Sequence, residues 1–257
     1  MVSFDLFDTV LLRPSLSPDA VQRYAGRLLA LEHPDAPDFF SARKAAEHAA
    51  RAAKDWAGDV GLDEIYAQLP AAFTPPMRAR ARALELEVEK QLVLTRAPVT
   101  EALAYARSLG KRVIAVSDTY FGKAEIEALL EAAGLAGAFD AIHLSSEAGA
   151  RKDRGDLWPH VLKAEGVAPK DWLHIGDNEV SDMQRAGDRG LGVFHAMNPV
   201  TLLGQKRFLS AATLKSADEA HGWADALLLG PAAARLSGDP FPTDGALGVY
   251  RVASAHD

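Results

Sequence analysis

The stretch that decides the fold lies near the N-terminus and reads Val2-Ser3-Phe4-Asp5-Leu6-Phe7-Asp8-Thr9-Val10. Its first residues are mostly apolar and lead directly into Asp5, a pattern that is typical of a buried strand with a carboxylate at its end. Phe7 to Leu12 is again largely apolar, and Arg13-Pro14 follows it. This order predicts a buried strand, then a tight turn or flap.

Working outward, the pattern changes to helical spacing from about Ser17 to Leu94. Ser17-Pro18-Asp19 is a good helix start, with Ser17 as the cap and Pro18 in the first turn. Further helices are predicted at Asp38 to Trp56, Asp63 to Leu69 and Pro76 to Leu94. Three basic residues of this region are expected on solvated helix faces: Arg23, Arg43 and Lys44. The stretch reads as a helical cap inserted after the first strand.

Beyond the cap, predicted strands alternate with predicted helices. The strands are Arg112 to Val116, Ala141 to Leu144, Trp172 to Ile175 and Gly192 to His195. The helices are Val99 to Leu109, Lys123 to Ala133, Leu157 to Ala164 and Ser181 to Ala186. This alternation predicts an α/β fold, a Rossmann-like doubly wound parallel sheet. We therefore expect a core at 1–14 and 95–200, a cap at 15–94 and a C-terminal extension at 201–257.

Polar residues stand directly after three of the predicted strands: Asp5, Ser117 and Asp177. Ligands of open parallel sheets bind beyond the carboxyl ends of the strands, so these side chains are expected to share one site. Lys152 and Asp182 belong to the same ordered set, Lys152 after the Ala141 to Leu144 strand and Asp182 after Asp177. Each residue alone is more simply explained as a turn former, a helix cap or a surface lysine. Their occurrence together, in this order at successive strand ends, indicates a catalytic site.

Composition narrows the function classes. The chain of 257 residues has a formal net charge of -7, which does not favour nucleic acid as a general partner. It contains no cysteine, which excludes disulfides, thiolate metal sites and cysteine nucleophiles. No signal-peptide pattern and no apolar run long enough for a membrane span is visible. We expect a cytoplasmic protein without a membrane partner, and the sequence leaves its oligomeric state open.

The segments around Asp5, Ser117, Lys152 and Asp177 to Asp182, taken together and in this order, resemble the haloacid dehalogenase superfamily. The resemblance covers about Val2 to His195, without the cap. The resemblance implies that Asp5 is a nucleophile that forms an aspartyl intermediate. Ser117 and the backbone N–H of Asp118 would hold phosphoryl oxygens, and Lys152 would neutralise the phosphate. Thr119 lies in the same substrate-binding segment. The stretches Ser3 to Arg13, Ser117 to Tyr120 and Ser145 to Leu157 also resemble a bacterial branch of predicted hydrolases, some of them joined to glycosyltransferases.

The resemblance also implies a Mg²⁺ site. Its ligands would be the carboxylates of Asp5, Asp177 and Asp182, directly or through water, and the backbone carbonyl of Phe7. Mg²⁺ prefers a few carboxylates together with water and substrate oxygens. Clustered carboxylates are unfavourable unless cations lie among them, and Lys152 alone does not balance three. Outside the metal site, Arg13 and Tyr120 are candidates to contact a small phosphorylated substrate beneath the cap.

One departure from the family pattern concerns the residue two positions after the nucleophile. Phosphatases of this superfamily usually have there an Asp that protonates the leaving group, whereas this chain has Phe7. Asp8 comes next, but in an extended segment its side chain would point the other way. Losing a general acid typically lowers the rate by about 10²–10⁴. Either the leaving group needs little protonation, or Asp8 or a cap residue substitutes, or the enzyme is slow.

Two other readings therefore stay open. An aromatic residue at position 7 also resembles the true haloacid dehalogenases, whose halide leaving group needs no proton. Against this, those enzymes use no metal, whereas Gly176-Asp177 followed by Asp182 is a metal-type pattern. The third reading is a degenerate domain that binds a phosphorylated ligand or partner without turnover.

Overall fold

The computed structural model describes residues 1–15 and 17–204. Its strands are β1 (Val2–Phe4), β2 (Leu11–Leu12), β3 (Leu94–Thr95), β4 (Val113–Ser117), β5 (Ala141–Leu144), β6 (Leu173–Gly176) and β7 (Gly192–His195). Five of them form one parallel sheet in the order β5-β4-β1-β6-β7, while β2 and β3 form a separate antiparallel pair. The first strand therefore lies at the centre of the sheet, with β4 on one side and β6 on the other.

The helices of the described residues flank this sheet or form the insert between β2 and β3. They are α1 (Asp19–Glu32), α2 (Phe39–Ala52), α3 (Leu62–Ala67), α4 (Pro75–Leu92), α5 (Ala97–Ser108), α6 (Lys123–Ala132), α7 (Ser145–Ala148), α8 (Leu157–Glu165), α9 (Arg185–Gly187) and α10 (Pro199–Gly204). All five residues of β4 are buried, as expected for a strand that is covered on both sides. Val113 and Ala115 belong to one apolar cluster, and Ile114 and Val116 belong to the other. The alternation along β4 thus supplies two cores, one on each face, and confirms the predicted α/β fold.

The predicted cap is present as α1 to α4, between β2 and β3. The pairing of Leu11 with Thr95 and of Leu12 with Leu94 brings the two connecting segments side by side. The limits of 15–94 for the cap remain a prediction, and most of the expected extension, 205–257, lies outside the described residues. In the part of the chain that is described, no helix combines the length and the apolar character needed to cross a bilayer.

Three local predictions need correction. The first helix begins at Asp19 with Pro18 at the cap position, although Ser17 Oγ does accept the Asp19 backbone N–H at 3.2 Å. The helix predicted to reach Trp56 ends at Ala52, because Asp55 and Trp56 have φ angles of 50° and 58° in the left-handed region.

The third correction concerns a buried ion pair in the cap. Arg43 was expected on a solvated face, but it is fully buried. Its guanidinium donates to both carboxylate oxygens of Glu85, at 3.0 and 3.1 Å. Tyr66 completes the cluster by donating its hydroxyl to Glu85 Oε2 at 2.7 Å. A guanidinium fork bound to both oxygens of a carboxylate satisfies several donors at once, and this is why Arg43 is accommodated inside the cap.

Candidate active site

The site lies beyond the carboxyl ends of the three central strands. Asp5 follows β1, Ser117 ends β4, and Asp177 follows β6. Because β4, β1 and β6 are hydrogen-bonded neighbours in a parallel arrangement, their ends meet at one edge of the sheet. The predicted convergence of these residues is therefore a direct consequence of the strand order.

Lys152 connects two of the acids across the site. Its Nζ lies 2.7 Å from Asp5 Oδ1 and 2.5 Å from Asp182 Oδ1, and only 2% of its surface is exposed. Burial by itself would lower the pKa of Lys152, but the adjacent carboxylates of Asp182 and Asp5 raise it well above its usual value. The lysine is therefore a fixed positive charge beside Asp5.

Three carboxylates form the metal-type cluster that the sequence predicted. Asp5, Asp177 and Asp182 each offer one oxygen, and these oxygens lie within 4.8 Å of one another. Burial raises the pKa of Asp177 to about 8, and the charges of Asp5, Asp8 and Asp182 add to the effect. Burial also raises the pKa of Asp5, against the opposing effect of Lys152. For Asp182, Lys152 and His174 outweigh burial and lower the pKa.

These shifts test whether the residues suit a divalent cation. One lysine does not neutralise the cluster: burial first, and then the charges of Asp5, Asp8 and Asp182, raise the pKa of Asp177 although Lys152 opposes them. The side-chain donors of the cluster are carboxylate oxygens, which is the chemistry that Mg²⁺ selects. The residues therefore fit such an ion. A bound Mg²⁺ would add to Lys152 the positive charge that the three carboxylates need.

The loop after β6 holds Asp182 in place. The residues Glu179–Gln184 form a short π-helix, and Asn178 caps it by accepting the N–H groups of Val180 and Ser181. Asn178 in turn donates its backbone N–H to Asp182 Oδ2 at 3.0 Å. A Cβ on Gly176 would come within 2.4 Å of Asp182 Cγ, so only glycine admits this close approach. π-helical turns are frequent at functional sites.

Ser117 and Thr9 present hydroxyl groups to the same cluster. Ser117 is buried, and its Oγ makes no hydrogen bond with any of the described residues. Thr9 Oγ1 lies 3.5 Å from Asp5 Oδ2 and 3.4 Å from Asp177 Oδ1. Thr9 was not among the predicted site residues. Its position in the turn after Asp5 was a usable signal, because a tight turn returns the chain towards the strand end.

Asp118 and Thr119 form hydrogen bonds with neighbouring loops of the protein. The Asp118 carboxylate accepts the Lys152 backbone N–H at 2.8 and 3.0 Å and the Asp153 N–H at 3.3 Å. Burial raises the pKa of this carboxyl to about 6. The Thr119 N–H is donated to Ser145 Oγ at 2.8 Å, and its hydroxyl accepts the Phe121 N–H at 3.2 Å. Asp118 thus anchors the loop that carries Lys152, which leaves the predicted phosphoryl contact to its backbone N–H.

A cavity of about 290 Å³ lies between the cap and the segments that follow Asp5 and Ser117. Its lining includes Phe7, Arg13, Tyr120, Arg51 and Asp59. The predicted Arg13 and Tyr120 therefore do line a pocket. Arg13, however, already forms a bidentate ion pair with Glu89 of α4, with N–O distances of 2.8 to 3.0 Å. Its guanidinium also lies 4.1 Å from the centroid of the Phe7 ring.

The cap contributes a polar contact that the sequence did not predict. Ser145 Oγ donates to Asp59 Oδ2 at 2.5 Å, and Arg51 Nη1 lies 2.6 Å from Asp59 Oδ1. Asp59 thus ties the cap to the first residue of α7, next to Thr119. No sequence signal indicated this pairing, because Asp59 and Ser145 are 86 positions apart in the chain.

Asp8 does not occupy an extended segment, so that prediction was wrong. Its φ of 60° places it in the left-handed region, and its N–H is donated to the Leu11 carbonyl at 2.8 Å. The chain turns back at this point, which brings Asp8 near Arg13 and Asp5. Burial raises the pKa of its carboxyl, with the Arg13 charge opposing that effect and the Asp5 charge adding to it.

His174 of β6 also lies at the site, beside Asp182. It is fully buried, and its Nε2 lies 3.1 Å from Asp182 Oδ1. The strand period offered a signal, because alternate residues of β6 share a face and His174 shares its face with Gly176. Burial lowers the pKa of this imidazole despite the neighbouring Asp182.

A parallel sheet with an inserted helical cap and an acid-rich strand edge defines a class of cap-bearing α/β hydrolases. The family model of haloacid dehalogenase-like hydrolases matches residues 1–187. This chain belongs to that family. No protein of curated function matches it at a significant level.

Solved structures of the same family share the fold. A protein assigned as the HAD-hydrolase YfnB from Bacillus subtilis, bound to magnesium, is 19% identical with a TM-score of 0.52; the match covers 77% of this chain and 88% of that chain. L-2-haloacid dehalogenase from Xanthobacter autotrophicus, with chloropropionic acid covalently bound, is 15% identical with a TM-score of 0.51, over 85% and 82% of the two chains. A haloacid dehalogenase-like hydrolase from Xanthomonas campestris is 17% identical with a TM-score of 0.53, over 87% and 92%.

Proposed function

We propose that this protein is a Mg²⁺-dependent hydrolase of a small phosphorylated substrate and that Asp5 is its nucleophile. The observation that supports the proposal most is the buried cluster of Asp5, Asp177 and Asp182 with Lys152 between two of its members. A dehalogenase needs one attacking carboxylate and no metal, whereas this cluster offers three carboxylates to a cation. A phosphate ester brings further negative charge, which the lysine and a bound cation would stabilise.

The proposed reaction has two displacements. An oxygen of Asp5 attacks phosphorus, the Asp5–phosphorus bond forms, and the bond to the leaving oxygen breaks. Water then attacks phosphorus, which releases phosphate and restores the Asp5 carboxylate. Ser117 Oγ and the Asp118 backbone N–H hold phosphoryl oxygens, and Lys152 stabilises their charge. When Mg²⁺ is bound, Asp5, Asp177, Asp182 and the Phe7 carbonyl would hold it, and it would supply Lewis-acid stabilisation of the transferring group.

Phe7 bears on how the leaving group of the substrate is protonated. Phe7 cannot donate a proton, so the proposed substrate has a leaving group that departs without one, as an acyl phosphate does. Asp8 is the alternative proton donor, since the turn at this residue brings its carboxyl near Asp5 and its pKa is raised by burial. The two options predict different substrate ranges, because a proton donor matters only for poor leaving groups.

A second candidate, dehalogenation of a 2-haloacid, is favoured by one observation. The Phe7 ring lines the cavity beneath the Arg13 guanidinium, where a proton donor would stand in a phosphatase. Halide departs without protonation, so such a site needs no acid. The two candidates differ in their need for a metal, which makes them easy to separate.

The deciding experiment uses the purified protein with acetyl phosphate, an aryl phosphate, alkyl phosphates and 2-chloropropionate, each with Mg²⁺ or with a chelator. We expect release of phosphate from acetyl phosphate only with Mg²⁺, and none from Asp5→Asn. Asp35→Asn, at an exposed position of the cap, is the matched control and should keep full activity. Phosphatase activity that survives both chelation and Asp5→Asn would exclude the proposal, and metal-independent halide release would favour the dehalogenase.

A further inference from the structure

A buried chain of hydrogen bonds runs from the interior of the sheet to Asp182. Ser3 of β1 and His174 of β6 are register partners in adjacent parallel strands, so their side chains lie next to each other on one face. Trp172 Nε1 lies 2.7 Å from Ser3 Oγ, Ser3 Oγ lies 2.8 Å from His174 Nδ1, and His174 Nε2 lies 3.1 Å from Asp182 Oδ1. Ser3, Trp172, His174 and Asp182 are all buried.

The direction of this chain follows from which groups can donate. An indole N–H only donates, so Ser3 Oγ accepts from Trp172. The serine hydroxyl then has one hydrogen to give, and His174 Nδ1 lies at hydrogen-bond distance to receive it. A nitrogen that accepts carries no hydrogen, so the hydrogen of the neutral ring is on Nε2. From there it points at Asp182 Oδ1.

The opposite tautomer is disfavoured at both ends. A hydrogen on Nδ1 would make Ser3 Oγ accept two N–H groups, and the serine's own hydroxyl hydrogen would then lose His174 as its acceptor in this buried position. At the other end the lone pair of Nε2 would face the Asp182 carboxylate at 3.1 Å, where two acceptors repel each other. The ring has little freedom to turn away, because Trp158 packs against it edge to face with ring centroids 4.7 Å apart.

We infer that His174 is a positioning residue: Trp172 and Ser3 hold its hydrogen on Nε2, and this N–H fixes the Asp182 carboxylate in the orientation that places Lys152 beside Asp5. Asp182 Oδ1 accepts from both His174 and Lys152, while Oδ2 accepts the Asn178 N–H. The carboxylate is therefore held from three directions. The part of this inference that concerns metal affinity rests on the proposed function, whereas the tautomer and the carboxylate orientation do not.

The first test reads the tautomer in the metal-free protein. Long-range ¹H–¹⁵N correlation spectra of ¹⁵N-histidine-labelled protein distinguish a hydrogen on Nε2 from one on Nδ1. We expect the Nε2–H form for His174, assigned by the loss of its signals in His174→Gln. In Trp172→Phe, which keeps a buried ring but removes the indole N–H, we expect the Nδ1–H form to become populated. A hydrogen on Nδ1 in the unsubstituted protein would overturn the inference, whatever the enzyme proves to do.

The second test separates positioning from packing. His174→Leu fills the space without a donor, whereas His174→Gln places an amide N–H near the position of Nε2. Groups that orient metal ligands typically change metal affinity by about 10–100-fold when removed. We expect the Mg²⁺ dissociation constant, measured by calorimetry, to rise by about 10-fold or more in His174→Leu and to recover to within about 3-fold of the original in His174→Gln.

Controls separate this inference from the proposed function. His143→Leu removes another histidine, one that pairs with Glu165 away from the site, and should leave Mg²⁺ affinity unchanged. Near-ultraviolet circular dichroism of each variant checks the fold. Equal Mg²⁺ affinities in folded His174→Leu and in the unsubstituted protein would overturn the inference. If the unsubstituted protein binds no Mg²⁺, the proposed function fails, and the tautomer experiment still decides the role of His174.

Discussion

Lys152 Nζ lies 2.7 Å from Asp5 Oδ1, although 147 positions separate the two residues in the chain. The same ammonium group contacts Asp182, and all three side chains are buried. A charged triad of this kind is stable only while every member keeps its partners, because an uncompensated buried charge is strongly unfavourable. The contact therefore depends on the completed sheet, and it makes the site sensitive to single substitutions.

Replacing the lysine should expose this dependence. Lys152→Met leaves the Asp5 and Asp182 carboxylates close together without a cation. We expect the free energy of unfolding of the metal-free protein to fall by about 3–5 kcal/mol near pH 8, measured by urea denaturation, and added Mg²⁺ to restore part of the loss. Lys170→Met, at an exposed position, serves as the control. A loss no larger than that of the control would mean that Lys152 does not balance the acids.

Gly176→Ala should displace the Asp182 carboxylate without removing any charged group. The added Cβ would lie 2.4 Å from Asp182 Cγ and 2.5 Å from its Oδ2, so the carboxylate has to move. We expect Mg²⁺ affinity to fall by about 10-fold or more, as measured by calorimetry. Gly187→Ala is the matched control, because no atom lies within 4 Å of the Cβ it would add. Unchanged affinity in Gly176→Ala would show that Asp182 is not needed for the metal.

The pKa of about 8 at Asp177 predicts how stability varies with pH. This value lies above the ordinary 3.8, so between these two pH values the folded metal-free protein binds a proton that the unfolded chain releases. The stabilisation that this bound proton gives to the folded protein is largest at low pH and is lost as the pH rises towards 8. Bound Mg²⁺ requires the ionised form, so the stabilisation by Mg²⁺ should increase over the same range.

Thermal denaturation with chelator and with Mg²⁺, from pH 6 to pH 8.5, measures this effect. We expect the difference in Tm between the two conditions to grow as the pH rises. In Asp177→Asn the pH dependence of that difference should be much weaker, since the titrating group is gone. A Mg²⁺-induced increase in Tm that is constant across the range would contradict the assignment of Asp177.

Phe7→Asp tests the role of the missing proton donor. We expect hydrolysis of alkyl phosphates, whose leaving groups are poor, to increase towards the range of about 10²–10⁴ that general acids supply. The gain should fall at the low end, because the Arg13 guanidinium that lies 4.1 Å from the Phe7 ring would favour the ionised form of the new carboxyl. Acetyl phosphate turnover should change little.

Phe7→Leu accompanies that variant as the control for lost aromatic packing against Phe121. It should show no gain on alkyl phosphates. If Phe7→Asp also shows none, another group already donates the proton, and Asp8 becomes the residue to replace next.

Much of the fold was predictable because its signals are local. The strand predicted at Arg112 to Val116 and the helix predicted at Lys123 to Ala133 are both present, and most predicted boundaries differ from the observed ones by only one or two residues. The left-handed turns at Asp8 and Asp55 were missed. Neither residue is glycine, so the local sequence favoured the ordinary backbone, and only the surrounding packing makes the unusual conformation acceptable.

The sequence by itself determined the order of strands and helices and which polar residues stand at the strand ends, because periodicity and turn chemistry depend on near neighbours in the chain. Only the tertiary structure decided how the charged groups are paired. Arg13 pairs with Glu89 and Arg43 pairs with Glu85. The Asp182 carboxylate accepts hydrogen bonds from His174 and Lys152. These partners come from distant segments, and burial makes each unpaired alternative unfavourable. Packing therefore selects the pairs that the strand order brings within reach.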